Sequence, residues 1–239
     1  RIDVLVPKIV FVDRFKSKIA YRPTFEGTFN ADVAVRDFER RIKPECISTA
    51  WRKNVLDGGR SMISKRQEVS IKIGGDREFA ISLSILLFAS GFANIELSES
   101  IDDDISINDV RINDISLADV GNGLGVTLER IFREREIFSR NTSEFQKKFN
   151  VHFGAINDVK VQEWMSSDIP HFIVDVIGPN ILVGPLVIPG HTPCLNCVSR
   201  TDSLILNEIK QINTFISPPI GALNWISGYL TLVIAEFID

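Results

Sequence analysis

One stretch limits the fold more than any other: "EVSIKIGGDREFAISLSILLFASGFANIELSES", residues 68–100. "EVSIKI" has the β-branched pattern of a buried strand, and "GGD" marks a sharp turn. "REFAISLSILLFASG" follows as a helix that closes on Gly91, and "NIELSES" is a second short strand running into the acidic "IDDD". Strand, glycine turn, helix and strand over roughly thirty residues form the βαβ unit of a parallel sheet. The chain is therefore expected to be an α/β protein.

Further elements follow the same logic. "GVTLERIFREREIFSRNTSEFQKKF" reads as a charged helical region, "VHFGAIND" as a strand and "HFIVDVI" as a buried strand. "ILVGPLVIPG" reads as a last pair of extended pieces, and the apolar "GALNWISGYLTLVIAEFID" as a buried helix entered through "SPP". Residues 102–123, rich in Asn and Asp, are expected as a surface loop without internal repeat, and Asp102, Asp103 and Asp104 as a solvated acidic turn. Trp225 and Tyr229 stand at helical spacing, as core or as a dimer interface.

The front of the chain has a different pattern. "KIVFVDRF" and "KIAYRPTF" flank "KSK" as the two arms of a hairpin. A helix then begins near Asn30 or Asp32, carries Val35, Phe38 and Ile42 on one stripe, and stops at Pro44. Residues 1–50 are thus expected as a small hairpin-and-helix module, 51–66 as a connecting region and 67–239 as the sheet domain.

Composition narrows the class. A formal charge of −4 argues against a nucleic-acid-binding face. Three cysteines are too few for a disulfide framework, which points to a reducing compartment and the cytoplasm. Charges interrupt the apolar run of "RIDVLVPKIVFVDRF", so no signal peptide is expected, and the C-terminal helix falls short of a clean membrane span. Two of the cysteines stand as Cys194-x-x-Cys197 in "VGPLVIPGHTPCLNCVSR", a spacing that suits a metal knuckle, a redox pair or a chance pair in a loop.

Several motifs fall in an order that resembles the ThiF-like superfamily, the adenylating fold shared with ubiquitin-activating enzymes. "GPLVIPGHTPCLNC" is similar to proteins that mature ribosomally made peptide antibiotics: the microcin C and pantocin enzymes, and partner proteins of azole-peptide cyclodehydratases. The resemblance covers roughly residues 50–239. It implies a ThiF-like Rossmann-type parallel-sheet domain behind a winged-helix-like front module that clamps a precursor's leader. Gly75-x-Arg77-x-x-Ala80 stands where the family has its nucleotide turn, with Arg77 departing from glycine. Glu99 falls at the family's ribose-binding acid. "NDVR" matches the family's Asn-Leu-x-Arg, giving Asn108 and Arg111, the latter to neutralise triphosphate charge. Asp119 in "ADVG" follows at the family's interval, whereas the family's next lysine is Leu124 here. Asp175 in "FIVDV" corresponds to a strand that carries a magnesium-binding aspartate, and the chain then passes directly to "IGPNILVGPLV".

The resemblance also implies zinc. Cys194 and Cys197 would form half of a tetrahedral structural site, completed in the family by a second cysteine pair near the C-terminus. His191 stands three residues before Cys194 as a third candidate ligand, and Cys46 is distant in sequence. The expected function is maturation of a ribosomal precursor peptide by a homodimer. ATP with Mg2+ would activate a carboxyl or amide oxygen for ring closure, with Arg111, Asp119 and Asp175 in the catalytic group. The alternatives are a non-catalytic leader-binding partner of a separate cyclodehydratase, and a sulfur-carrier or ubiquitin-like activating enzyme.

Overall fold

A computed structural model describes residues 8–11, 60–98, 103–134, 147–154, 158–177, 180–194, 197 and 218–239. Six strands form one sheet: β1 (Lys8–Phe11), β2 (Val69–Gly75), β3 (Asn94–Leu97), β4 (Lys147–Phe153), β5 (His171–Ile177) and β6 (Asn180–Val187). Their spatial order is β1-β6-β5-β4-β2-β3. Among the described residues, five helices accompany them: α1 (Arg60–Gln67), α2 (Arg77–Ala89), α3 (Leu124–Glu134), α4 (Asp158–Ser166) and α5 (Ile220–Ile238). Two short 3-10 helices, Ile107–Arg111 and Leu117–Asp119, lie between β3 and α3.

The predicted βαβ unit is present as β2, α2 and β3. β2 pairs in parallel with β3 on one side and with β4 on the other, so chain order reverses at β2. In an open α/β sheet, the carboxyl ends of the strands at such a reversal frame a crevice. Val69, Ile71 and Ile73 of β2 are fully buried. Helix α2 is buried almost all round because sheet and helix sandwich it: Phe79 stacks on Phe153 of β4, centroids 4.5 Å apart, while Ser82 Oγ donates to Asn224 Oδ1 of α5 at 2.9 Å. Phe88 of α2 stacks on Phe132 of α3 at 4.2 Å, which fixes the third helix.

α5 is long and apolar enough to cross a membrane by length and composition, with 19 residues and a mean hydropathy of 1.3. Its Leu223, Ile226, Leu230 and Ile234 are nonetheless fully buried in the core shared with α2 and the sheet. The far face carries Trp225 and Leu232, 48% and 46% exposed. Trp225 stacks on Tyr229 with centroids 5.8 Å apart.

Four features differ from the sequence reading. β6 runs antiparallel to β5, with Ile177 opposite Asn180. Two intervening residues permit a hairpin, whereas a parallel crossover needs a dozen or more. "ILVGPLVIPG" therefore supplies one strand, not two extended pieces. "KKF" opens β4 and does not close a helix, and α4 occupies residues that carried no helical expectation. Finally, Asp104-Ile105-Ser106-Ile107-Asn108-Asp109-Val110 is echoed by Asp114-Ile115-Ser116-Leu117-Ala118-Asp119-Val120, a tandem repeat with a ten-residue period.

Of the front module, Lys8–Phe11 is described, and it pairs in parallel with β6 at the sheet edge. The second hairpin arm, the helix carrying Val35, Phe38 and Ile42, and Cys46, Glu99 and Asp102 lie outside the described residues.

Candidate functional site

The crevice begins at the end of β2. Gly75 has φ +99°, and a Cβ there would lie 1.8 Å from the carbonyl oxygen of Phe153 in β4. Glycine is therefore demanded by a neighbouring strand, independently of any ligand. Asp76 N–H donates to that same oxygen at 3.0 Å, and Asp76 then caps α2 by accepting from Phe79 N–H at 2.9 Å. Ala80 is fully buried one turn into the helix, so its methyl belongs to the packing between α2 and its neighbours.

Arg77 and Glu78 follow in the first turn of α2. The Arg77 guanidinium lies 3.4 Å from both Asp109 carboxylate oxygens and donates to the carbonyls of Asp103 and Asp104 at 3.0 Å each. It ties the acidic loop to the helix. Arg111 instead pairs with Glu78, and that hydrogen bond, working against slight burial, raises the already high Arg111 pKa. Arg111 is 47% exposed and Glu78 15%; Glu78 Oε2 is buried with no hydrogen-bond partner. Asn108 is exposed on the same 3-10 helix as Arg111.

The tandem repeat builds two copies of one device. Asp109 accepts from Ser106 N–H at 2.8 Å and from its hydroxyl at 3.0 Å. Asp119 accepts from Ser116 N–H at 2.8 Å and from its hydroxyl at 2.7 Å. Both carboxylates are buried in capping boxes, and each meets one arginine: Arg77 of α2 for Asp109, Arg130 of α3 for Asp119 at 2.9 Å. Burial pushes the Asp119 carboxyl up, but the Ser116 bonds and Arg130 outweigh it and hold it below the ordinary range. Asp119 is thus a clamp between loop and helix. The sequence signal for this was Ser-x-x-Asp occurring twice at a ten-residue interval, each time after isoleucine.

The remaining candidates are spread out. Leu124 is fully buried in the core, so no cation occupies the position of the family's lysine. Asp175 is half-buried on β5, two strands from β2, a separation of about 10 Å at ordinary strand spacing. Its Oδ1 accepts from Val176 N–H at 2.8 Å. Gly178 and Pro179 are the only residues between β5 and β6, so no crossover loop and no cysteine lies there. Arg77, Glu78 and Arg111 therefore gather with Gly75 at the crevice, while Asp175 stands apart.

Cys194 and Cys197 face each other with sulfurs 3.6 Å apart across a turn closed by Cys197 N–H to Cys194 C=O at 3.0 Å. His191 is exposed, and among the described residues no third His, Cys, Asp or Glu joins them as a metal-holding group. The pair offers half of a tetrahedral set.

The sheet with its reversal at β2, and a glycine turn feeding a helix N-terminus, define a Rossmann-type α/β fold. Solved structures with this fold include MccB of E. coli: 15% identity, TM-score 0.58, covering 81% of this chain and 62% of that one. A second is the microcin C7 biosynthetic enzyme MccB in complex with N-formylated MccA: 16% identity, TM-score 0.58, 87% of this chain and 70% of that one. PaaA is similar at 16% identity and TM-score 0.59, over 86% of this chain and 74% of that one. Other MccB structures contain AMPCPP or ATP. The chain spans under two thirds of the first of these relatives. No family model matches the sequence, and no curated protein does.

Proposed function

We propose that this chain takes part in maturing a ribosomally made precursor peptide, with ATP held in the crevice at the carboxyl ends of β2 and β4. The observation that carries this reading is the placement of Arg111 beside the first turn of α2, immediately after the Gly75 turn. A helix N-terminus and a neighbouring arginine suit a nucleotide phosphate in charge and position. Likeness to MccB and PaaA, and the presence of AMPCPP, ATP and MccA in MccB structures, support the same class of activity. When bound, ATP supplies an activated phosphoryl or adenylyl group to a carboxyl or amide oxygen. The residues here neutralise phosphate charge through Arg111, support the turn through Gly75 and Asp76, and fasten the adjoining loop through Arg77 and Asp119. We further propose a leader-binding role for residues 1–50, a homodimer contacting through the open face of α5, and a cytoplasmic location. Zinc at Cys194 and Cys197 would require two further ligands from outside the described residues.

A second reading, a non-catalytic partner that presents the peptide to a cyclodehydratase, is favoured by Leu124 lying in the core and by the missing β5–β6 crossover. Calorimetric titration with ATP and magnesium separates the two. Binding that weakens by about 1.5–3 kcal/mol in Arg111→Ala is expected from a charge-assisted phosphate contact. No heat at millimolar nucleotide would leave the partner reading alone.

A further inference from the structure

Glu78 and Arg111 meet beside the start of α2, just after the Gly75 turn. Glu78 lies in the first turn of α2, where a bound phosphate would take its hydrogen bonds, and it puts a carboxylate there. One of its oxygens holds Arg111, while the other is buried with no hydrogen-bond partner. Arg111 is nearly half exposed and is joined to Glu78 from across the loop, 33 residues away in sequence. The other arginine nearby, Arg77, is already committed to Asp109 and to two backbone carbonyls.

We propose that Glu78 is an internal competitor for Arg111, a carboxylate latch that must release the arginine before a nucleotide phosphate can bind. The proposal rests on the nucleotide reading above. Its physics is an exchange of anions. Arg111 can turn to a phosphate from its exposed side, while Glu78, only 15% exposed, then loses its partner, so the exchange has a cost that the nucleotide must supply. The displaced carboxylate then stands close to phosphate, and like charges at short range oppose one another. The latch therefore sets affinity. Glu78 acts through Arg111 and is a positioning residue.

A double-mutant cycle tests this on the full chain, with ATP and magnesium as the titrant and calorimetry as the readout. Glu78→Gln keeps the shape and removes the charge, and Glu78→Ala gives a second version should the amide disturb the turn. Either should bind ATP about fivefold more tightly or better, one broken pair's worth. In an Arg111→Ala background the same Glu78 change should gain clearly less, only the share owed to repulsion between carboxylate and phosphate. An equal gain in both backgrounds would mean simple repulsion and would overturn the latch. Unchanged or weaker binding by both Glu78 variants, with Arg111→Ala still harmful, would overturn the latch and leave the nucleotide reading standing. If no variant binds ATP at all, both fall together.

Discussion

Arg66 and Asp239 meet side by side inside the protein, Nε to Oδ1 at 2.8 Å and Nη2 to Oδ2 at 2.6 Å, both side chains fully buried. The remaining guanidinium nitrogen donates to Ser90 C=O at 2.7 Å, and Phe92 lies 5.8 Å from the cation. One arginine of α1 thereby joins the end of α5 to the end of α2. Such a pair stabilises little against an apolar substitute, yet breaking one half leaves a buried charge.

Arg66→Ala should therefore cost about 3–5 kcal/mol, whereas Arg66→Met combined with Asp239→Leu should fall within a few kcal/mol of wild type. Urea denaturation of the three proteins measures the difference. Equal losses in the single and double variants would refute the paired-charge account.

Gly75→Ala should be severely destabilising, because the new Cβ meets the Phe153 carbonyl oxygen at 1.8 Å. Gly121→Ala and Gly154→Ala also sit at positive φ but meet nothing within 4 Å. They should lose only the backbone preference, about 1–2 kcal/mol each. Thermal melting ranks the three, and a mild Gly75→Ala would mean that β4 can move aside.

Acid should destabilise the protein in two stages. His171 is fully buried, donates from Nδ1 to Ile169 C=O at 2.9 Å, and has its pKa lowered by burial despite that bond. Its neutral form is the stable folded one, so stability present above an unfolded pKa of about 6.5 is lost as pH falls through the folded value. Asp119 is depressed too, so its contribution is present above about 3.9 and is lost as pH falls further. Melting curves against pH should lose the upper stage in His171→Gln and part of the lower one in Asp119→Asn.

Much of the central fold was legible because β2 and β3 alternate apolar with polar residues, and α2 and α5 are long runs dominated by apolar residues. α4 was not: Val161 is its one residue described as fully buried in the core, so no apolar stripe marks it. The start of β4 was hidden by Lys147 and Lys148, exposed at the strand's leading end. The family resemblance pointed to Arg111 and Asp119 but not to Glu78 or Arg130, whose partners lie 33 and 11 residues away. Side-chain pairing across a fold leaves no local pattern.

The proposed dimer predicts twice the chain mass in light scattering at micromolar concentration. Trp225→Glu with Leu232→Glu, both on the exposed face of α5, should yield monomer with little change in melting. A wild-type monomer would mean that this face serves another purpose.

The tandem repeat sets the chain a problem of identity. Slipped by ten residues, the first Ser-x-x-Asp unit would offer Arg130 the same carboxylate that the second one offers. Besides Asn108 against Ala118, the two copies differ at their eighth position, Arg111 in one and Gly121 in the other. Gly121 has φ +87°, and its N–H donates to Ile105 C=O at 2.9 Å, folding the second copy back on the first. A slip would put Arg111 at that left-handed corner, where a side chain is strained. A single hydrogen atom in place of a side chain thus bars one of the two slips.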